Sequence, residues 1–234
     1  MRKTAMTEES RIKPVLCVVT SAHVKGETGI STGFWMAELT HPLAKLQDAG
    51  IPVEFASIQG GQPPIDGFDL NDPVNARFWA DPAFRRAIRG TSRLADVDAS
   101  HYSAIFFAGG HGTMWDFPQS EAVQRVTREI YEGGDIVSAV CRGPAALVNV
   151  RLSDGKHLVA GKKLAAFTNA EEADMHATDI VPFLLASALV DHGAVHQLGD
   201  NWTVKVVTDG RLITGQNPQS AAGVGEALRD ALLA

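Results

Sequence analysis

The stretch Ile136-Val137-Ser138-Ala139-Val140-Cys141-Arg142-Gly143-Pro144-Ala145-Ala146 decides how this chain is read. An apolar run ends at a cysteine, and Gly-Pro with small residues follows, the pattern of a strand that turns sharply into a helix. A thiol at that turn meets unpaired backbone N–H groups and the positive end of a helix dipole, both of which favour thiolate. Proline at the first helical position loses no hydrogen bond, and glycine lets the backbone pass close to whatever the sulfur attacks. This is the logic of a nucleophile elbow. Cys141 is therefore expected in strained backbone as a nucleophile, against the alternative of one more buried cysteine.

Outward from this strand, short apolar runs alternate with helix-period segments, as in βαβ units around a mostly parallel sheet. Strands are expected at 14–20, 52–58, 104–108, 136–140 and 164–167, with later ones near 204–208 and 212–214. Helices are expected at about 35–47, 118–132, 144–149, 179–188 and 220–233. One domain over 1–234 follows, with 1–12 as a frayed tail and 59–93 as an insertion carrying its own short helix, a lid or a dimer surface. Phe68, Phe78, Trp79 and Phe84 in that insertion call for a cover, and a homodimer would supply one.

The strand ending Phe106-Phe107-Ala108-Gly109-Gly110-His111-Gly112 is expected to lie beside the one carrying Cys141. An N–H from Gly110 or His111, with that of Arg142, could then form an oxyanion hole. His111 is a candidate base, or it caps the turn. Glu38 falls one turn into a helix whose neighbours Trp35 and Leu39 look like core. If it points toward the sheet it needs a partner, and a protonated Glu38 could donate to a thiolate; otherwise it faces solvent.

Composition excludes several classes. A net charge of -6, from 21 Lys plus Arg against 27 Asp plus Glu, argues against nucleic acid. Cys17 and Cys141 are too few for a disulfide framework, and Cys17 reads as a buried small hydrophobe, so a reducing cytoplasm is expected. The apolar stretch Val181 to Val190 is too short to cross a bilayer, and no His/Cys/Asp cluster has zinc spacing, so neither membrane nor metal is expected.

Several motifs occur in order: Gly33-Phe34-Trp35 with Glu38 and His41-Pro42, Gly60-Gly61-Gln62-Pro63-Pro64-Ile65-Asp66, and Gly109-Gly110-His111-Gly112-Thr113-Met114-Trp115-Asp116-Phe117-Pro118. Ala139-Val140-Cys141, Gly143-Pro144-Ala145-Ala146-Leu147, Phe167-Thr168-Asn169-Ala170-Glu171-Glu172 and Thr214-Gly215-Gln216-Asn217-Pro218 complete them. Together they resemble the DJ-1/PfpI (ThiJ/PfpI) superfamily, nearest its glyoxalase III and heat-shock chaperone branch. The resemblance implies a class I glutamine-amidotransferase-like (flavodoxin-like) α/β sandwich, usually dimeric and with no cofactor. It also implies Cys141 as nucleophile and Glu38 as its carboxylate neighbour.

In that branch a histidine base usually follows the nucleophile, and here Arg142 stands there. Arginine cannot accept a proton at working pH. Glu171 or Glu172, which would orient that histidine, is expected to pair with Arg142 instead. Gly110, Arg142, Trp115, Glu171 and Glu172 are the expected substrate-binding residues, and Cys141, Glu38 and His111 the catalytic ones. Three functions remain open: a glyoxalase III-like conversion of a small 2-oxoaldehyde to a 2-hydroxy acid, hydration or C–N hydrolysis with Arg142 as binding group, and a stress-response chaperone or redox sensor without turnover.

Overall fold

The structure is a computed structural model describing residues 12–234. The tail expected at 1–12 therefore lies, apart from Ile12, outside the described residues. Among the described residues, seven strands form the central sheet: β1 (Val15–Val19), β2 (Val53–Ser57), β3 (Ser92–Arg93), β4 (Ala104–Phe107), β5 (Ile136–Val140), β6 (Val206–Asp209) and β7 (Leu212–Gly215). Their order is β6-β7-β5-β4-β1-β2-β3, parallel throughout except for β6, which pairs antiparallel with β7. Every residue of β1, β4 and β5 is buried, as central strands covered on both faces must be.

Among the described residues, eight helices accompany the sheet: α1 (Met36–Asp48), α2 (Pro73–Ala80), α3 (Pro82–Arg89), α4 (Thr113–Asp116), α5 (Glu121–Glu132), α6 (Asn169–Asp174), α7 (Leu185–Asp191) and α8 (Ala221–Leu233). Helices α1 and α8 pack on each other, and a Cβ on Gly225 would enter the Pro42 backbone. Helix α5 lies over β4 and β5. The Asp72 and Asp81 side chains accept from the first free N–H groups of α2 and α3, each followed by proline at the first helical position. His41 Nε2 bonds Asp72 Oδ2 at 2.8 Å and ties α1 to that cap.

Between residues 59 and 93 there are two helices and an edge strand of the sheet, rather than a single short helix. Phe78 and Phe84 are buried by the chain itself, with ring centroids 5.2 Å apart. Phe68 remains exposed, its ring edge-on to Trp79.

Three other expectations need correction. The helix expected over 179–188 begins only at Leu185, because Pro182 removes an N–H and disfavours helical backbone before it. The strand expected at 164–167 is not in the central sheet: Lys163–Leu164 pair with Val195–His196, and the chain then runs past the end of β5. There Ala165 N–H donates to Thr214 Oγ1 and Phe167 N–H to the Cys141 carbonyl, each at 2.9 Å. The helix expected at 144–149 is a five-residue 3-10 turn, Gly143–Leu147.

Candidate functional site

Register places the site. Phe107 of β4 lies opposite Ala139 of β5, so Gly109-Gly110-His111 and Cys141-Arg142 leave the sheet side by side. Cys141 has φ 60°, a backbone region that L residues seldom occupy. Both of its peptide groups are held there, the N–H by the Gly215 carbonyl and the carbonyl by the Phe167 N–H, each at 2.9 Å. The strain is thus fixed by the sheet on one side and the 165–167 segment on the other.

Glycine is required at 109, where a Cβ would strike Glu38 Oε2 and stand 2.7 Å from the Val140 carbonyl oxygen. Glu38, 1% exposed on the first turn of α1, faces the sulfur rather than solvent. Its carboxyl interacts with the Cys141 thiol and the Gly109 N–H, while Oε2 has no hydrogen-bond partner. Burial pushes this carboxyl up to about 8, so it holds its proton at neutral pH. The backbone N–H of Arg142 is directed at the sulfur.

The thiol departs from the sequence expectation. Burial, and secondarily the Glu38 charge, push it well above the ordinary cysteine range, although the Arg142 charge draws it down. A short 3-10 turn offers little dipole, and a sulfur sealed from water loses more than that dipole returns. The resting pair is therefore a neutral thiol beside a neutral carboxylic acid. Cys17, inside β1, is also buried, and its thiol is pushed up by burial alone.

Arg142 and His111 meet on one carboxylate. Arg142 Nε donates to Glu172 Oε2 and its Nη2 to Oε1, both at 2.9 Å, while the guanidinium lies 3.8 Å over the Phe167 ring. His111 Nε2 bonds the same Oε1 at 3.0 Å. These contacts hold Glu172 down to about 2, so it is a carboxylate and accepts only. Nε2 of His111 must then carry the hydrogen. Burial, opposed by Glu172, lowers the imidazole below its ordinary value, which leaves it neutral with a free lone pair on Nδ1. The Arg142 charge is already neutralised by Glu172, so it is no free receptor for an anionic substrate.

A cavity of about 80 Å3 opens onto these groups. Glu38, Gly110, His111, Arg142 and Phe167 form its buried floor, and Trp35, Met175, Trp202 and Pro218 its more exposed rim. Cys141, 1% exposed, lies beneath that floor beside Glu38. Two expected binding residues are elsewhere. Trp115 sits half-buried on α4 against Gly26. Glu171, 0% exposed, completes the Thr168 capping box and accepts from Trp202 N–H, Gln216 Nε2 and Asn217 Nδ2, which makes it a tie between segments.

Residues 30–229 match the family model described as DJ-1/PfpI family. The chain belongs to the DJ-1/PfpI family. Among the relatives of this DJ-1/PfpI protein, "Glutathione-independent glyoxalase HSP31" of Saccharomyces cerevisiae is 30% identical, with 94% of this chain and 98% of the relative covered. "Glyoxalase 3" of Candida albicans is 29% identical over 92% of this chain and 96% of its own. The solved Rapid Encystment Protein 24 kDa of Francisella tularensis is 39% identical with a TM-score of 0.91, covering 94% of this chain and 99% of that one. This chain shares the α/β fold, with its mostly parallel sheet flanked by helices, with that solved structure. Among the described residues, no helix is long and apolar enough to cross a membrane.

Sequence reasoning did not find the aromatic wall. Phe167 appeared only within a motif, and Trp202 lies in the polar run Gly199-Asp200-Asn201-Trp202, where a lone aromatic was the one available signal.

The Glu38 carboxyl gives a pH signature. Its value rises from an ordinary 4.5 to about 8 on folding, so the native state binds the extra proton across that window. Its contribution is complete below pH 4.5 and is lost as pH rises through about 8. The melting temperature of the wild type relative to Glu38→Gln should therefore fall as the buffer moves across this range. A difference constant with pH would mean that the carboxyl titrates normally.

Proposed function

We propose that this protein is a glutathione-independent glyoxalase that converts a small 2-oxoaldehyde, with one water, to the 2-hydroxy acid. The observation that carries this reading is the strained Cys141 beside a proton-bearing Glu38, under a cavity that also receives a neutral, carboxylate-oriented His111. The names of the relatives from Saccharomyces cerevisiae and Candida albicans support it.

Sulfur adds to the aldehyde carbon, and the carbonyl oxygen becomes the hydroxyl of a hemithioacetal. Glu38 suits this step, because a neutral carboxyl can take the thiol proton on one oxygen and give its own from the other, and Oε2 is unoccupied. Gly110, which lines the cavity, and the Arg142 N–H beside the sulfur are the groups we assign to the developing oxyanion. Nδ1 of His111 then removes the proton from the former aldehyde carbon while Glu38 gives its proton to the ketone oxygen, forming an enediol. Return of the His111 proton to the neighbouring carbon, with the hydroxyl proton of the former aldehyde carbon passing to the Glu38 carboxylate, leaves a thioester of the 2-hydroxy acid. Water cleaves the thioester, releasing the acid and restoring the thiol. Arg142 takes no proton in this sequence; it fixes Glu172, and Glu172 fixes the tautomer of His111.

The test is to supply methylglyoxal without glutathione and identify the product. Lactate formed in step with methylglyoxal loss is expected. Methylglyoxal that persists, or disappears without lactate, would remove the proposal.

A further inference from the structure

We infer that Trp202 is a specificity-determining gate that restricts the Cys141 cavity to substrates of about three carbons. Trp202 has φ 59°, a conformation rare for a bulky residue and easy for glycine. A bulky side chain at such a position is held there by its contacts against the preference of the backbone.

Two hydrogen bonds hold it. Its backbone N–H donates to Glu171 Oε1 at 2.9 Å, and its indole Nε1–H to Asp174 Oδ2 at 3.0 Å. Both acceptors are on α6, the helix whose Glu172 carries Arg142 and His111. The indole meets Phe167 edge-on, centroids 5.6 Å apart, and Phe167 carries the Arg142 guanidinium on its face. Arg142, Phe167 and Trp202 thus form one continuous wall, deep and charged at one end, half-exposed at the other. The cavity's 80 Å3 is about half of the roughly 150 Å3 that accepts a benzene ring. A 2-oxoaldehyde bearing a methyl group fits that space, and one bearing a phenyl ring does not unless Trp202 is removed.

The substrate half of this inference rests on the glyoxalase reading; the access half does not. The experiment therefore measures both in wild type, Trp202→Phe and Trp202→Gly. Cys141 alkylation is followed by peptide mass with iodoacetamide and with N-phenylmaleimide, and kcat/KM is measured for methylglyoxal and phenylglyoxal. Glycine suits the backbone at this position, and phenylalanine keeps a ring that cannot reach Asp174.

The aryl-to-small ratio of alkylation rates should rise on the order of tenfold or more in Trp202→Gly, with Trp202→Phe between, and the aldehyde ratio should rise in parallel. If alkylation selectivity shifts while neither aldehyde is turned over, the gate stands and the glyoxalase reading falls. If the alkylation ratio is the same in the folded variants as in wild type, the gate is overturned whatever the turnover. Should Trp202→Gly not fold, an unchanged ratio in Trp202→Phe overturns it equally.

Discussion

Cys141→Ser should lower 2-oxoaldehyde turnover by on the order of a thousandfold or more while leaving the fold intact. Serine is close in size to cysteine, and the φ of 60° is imposed by Gly215 and Phe167 through backbone hydrogen bonds that do not involve the side chain. What is lost is the polarizable sulfur, the atom able to add to an aldehyde and later leave as a thiol from a thioester. A hydroxyl beside Glu38 has no base strong enough to ionise it, since that carboxyl is itself protonated near neutrality. Circular dichroism and melting temperature establish that the variant is folded, and lactate formation reads the loss. A folded serine variant with a rate within tenfold of wild type would show that Cys141 is not the nucleophile.

Glu172→Gln should be the most destabilising single change at the site, costing about 3–5 kcal/mol. Arg142 is 4% exposed and has its charge balanced by this carboxylate through two hydrogen bonds. Glutamine keeps the shape and removes the charge, which leaves a guanidinium buried against Phe167 with no counter-ion. The acid side of the wild-type stability profile carries the same information. The Glu172 carboxyl falls from an ordinary 4.5 to about 2 on folding, so its contribution is complete above pH 4.5 and lost as pH drops toward 2. Urea denaturation at neutral pH, compared with the same measurement near pH 3, checks both statements: the gap between wild type and variant should narrow in acid. A gap below about 1 kcal/mol at neutral pH would mean that Arg142 finds another partner or water.

The parts of this site that are local in sequence were legible there. Strand, cysteine, glycine and proline in succession dictate the elbow, and Gly109-Gly110 at a parallel strand end dictates what stands beside it. Glu38 was left between sheet and solvent, and its burial against Gly109 and Cys141 decides between them. The state of the thiol was not legible: a dipole argument uses only neighbours in the chain, whereas the raised thiol comes from burial by distant segments. The same holds for the partition between Glu171 and Glu172. Adjacent residues on a short helix point differently, one into the Thr168 cap and the 199–217 segments, the other to Arg142 and His111. Trp202 reaches the cavity from a loop 61 positions past Cys141, and no local pattern announces such a contact.

The role proposed for His111 is that of the base, since Arg142, next to Cys141, cannot accept a proton. Its most direct test is kcat/KM for lactate formation from methylglyoxal in wild type and His111→Gln, with Cys141 alkylation by iodoacetamide confirming an intact nucleophile in both. Loss of a positioned base predicts a fall of about a hundred- to ten-thousand-fold in the variant with alkylation little changed. A His111→Gln protein that makes lactate at the wild-type rate would contradict it.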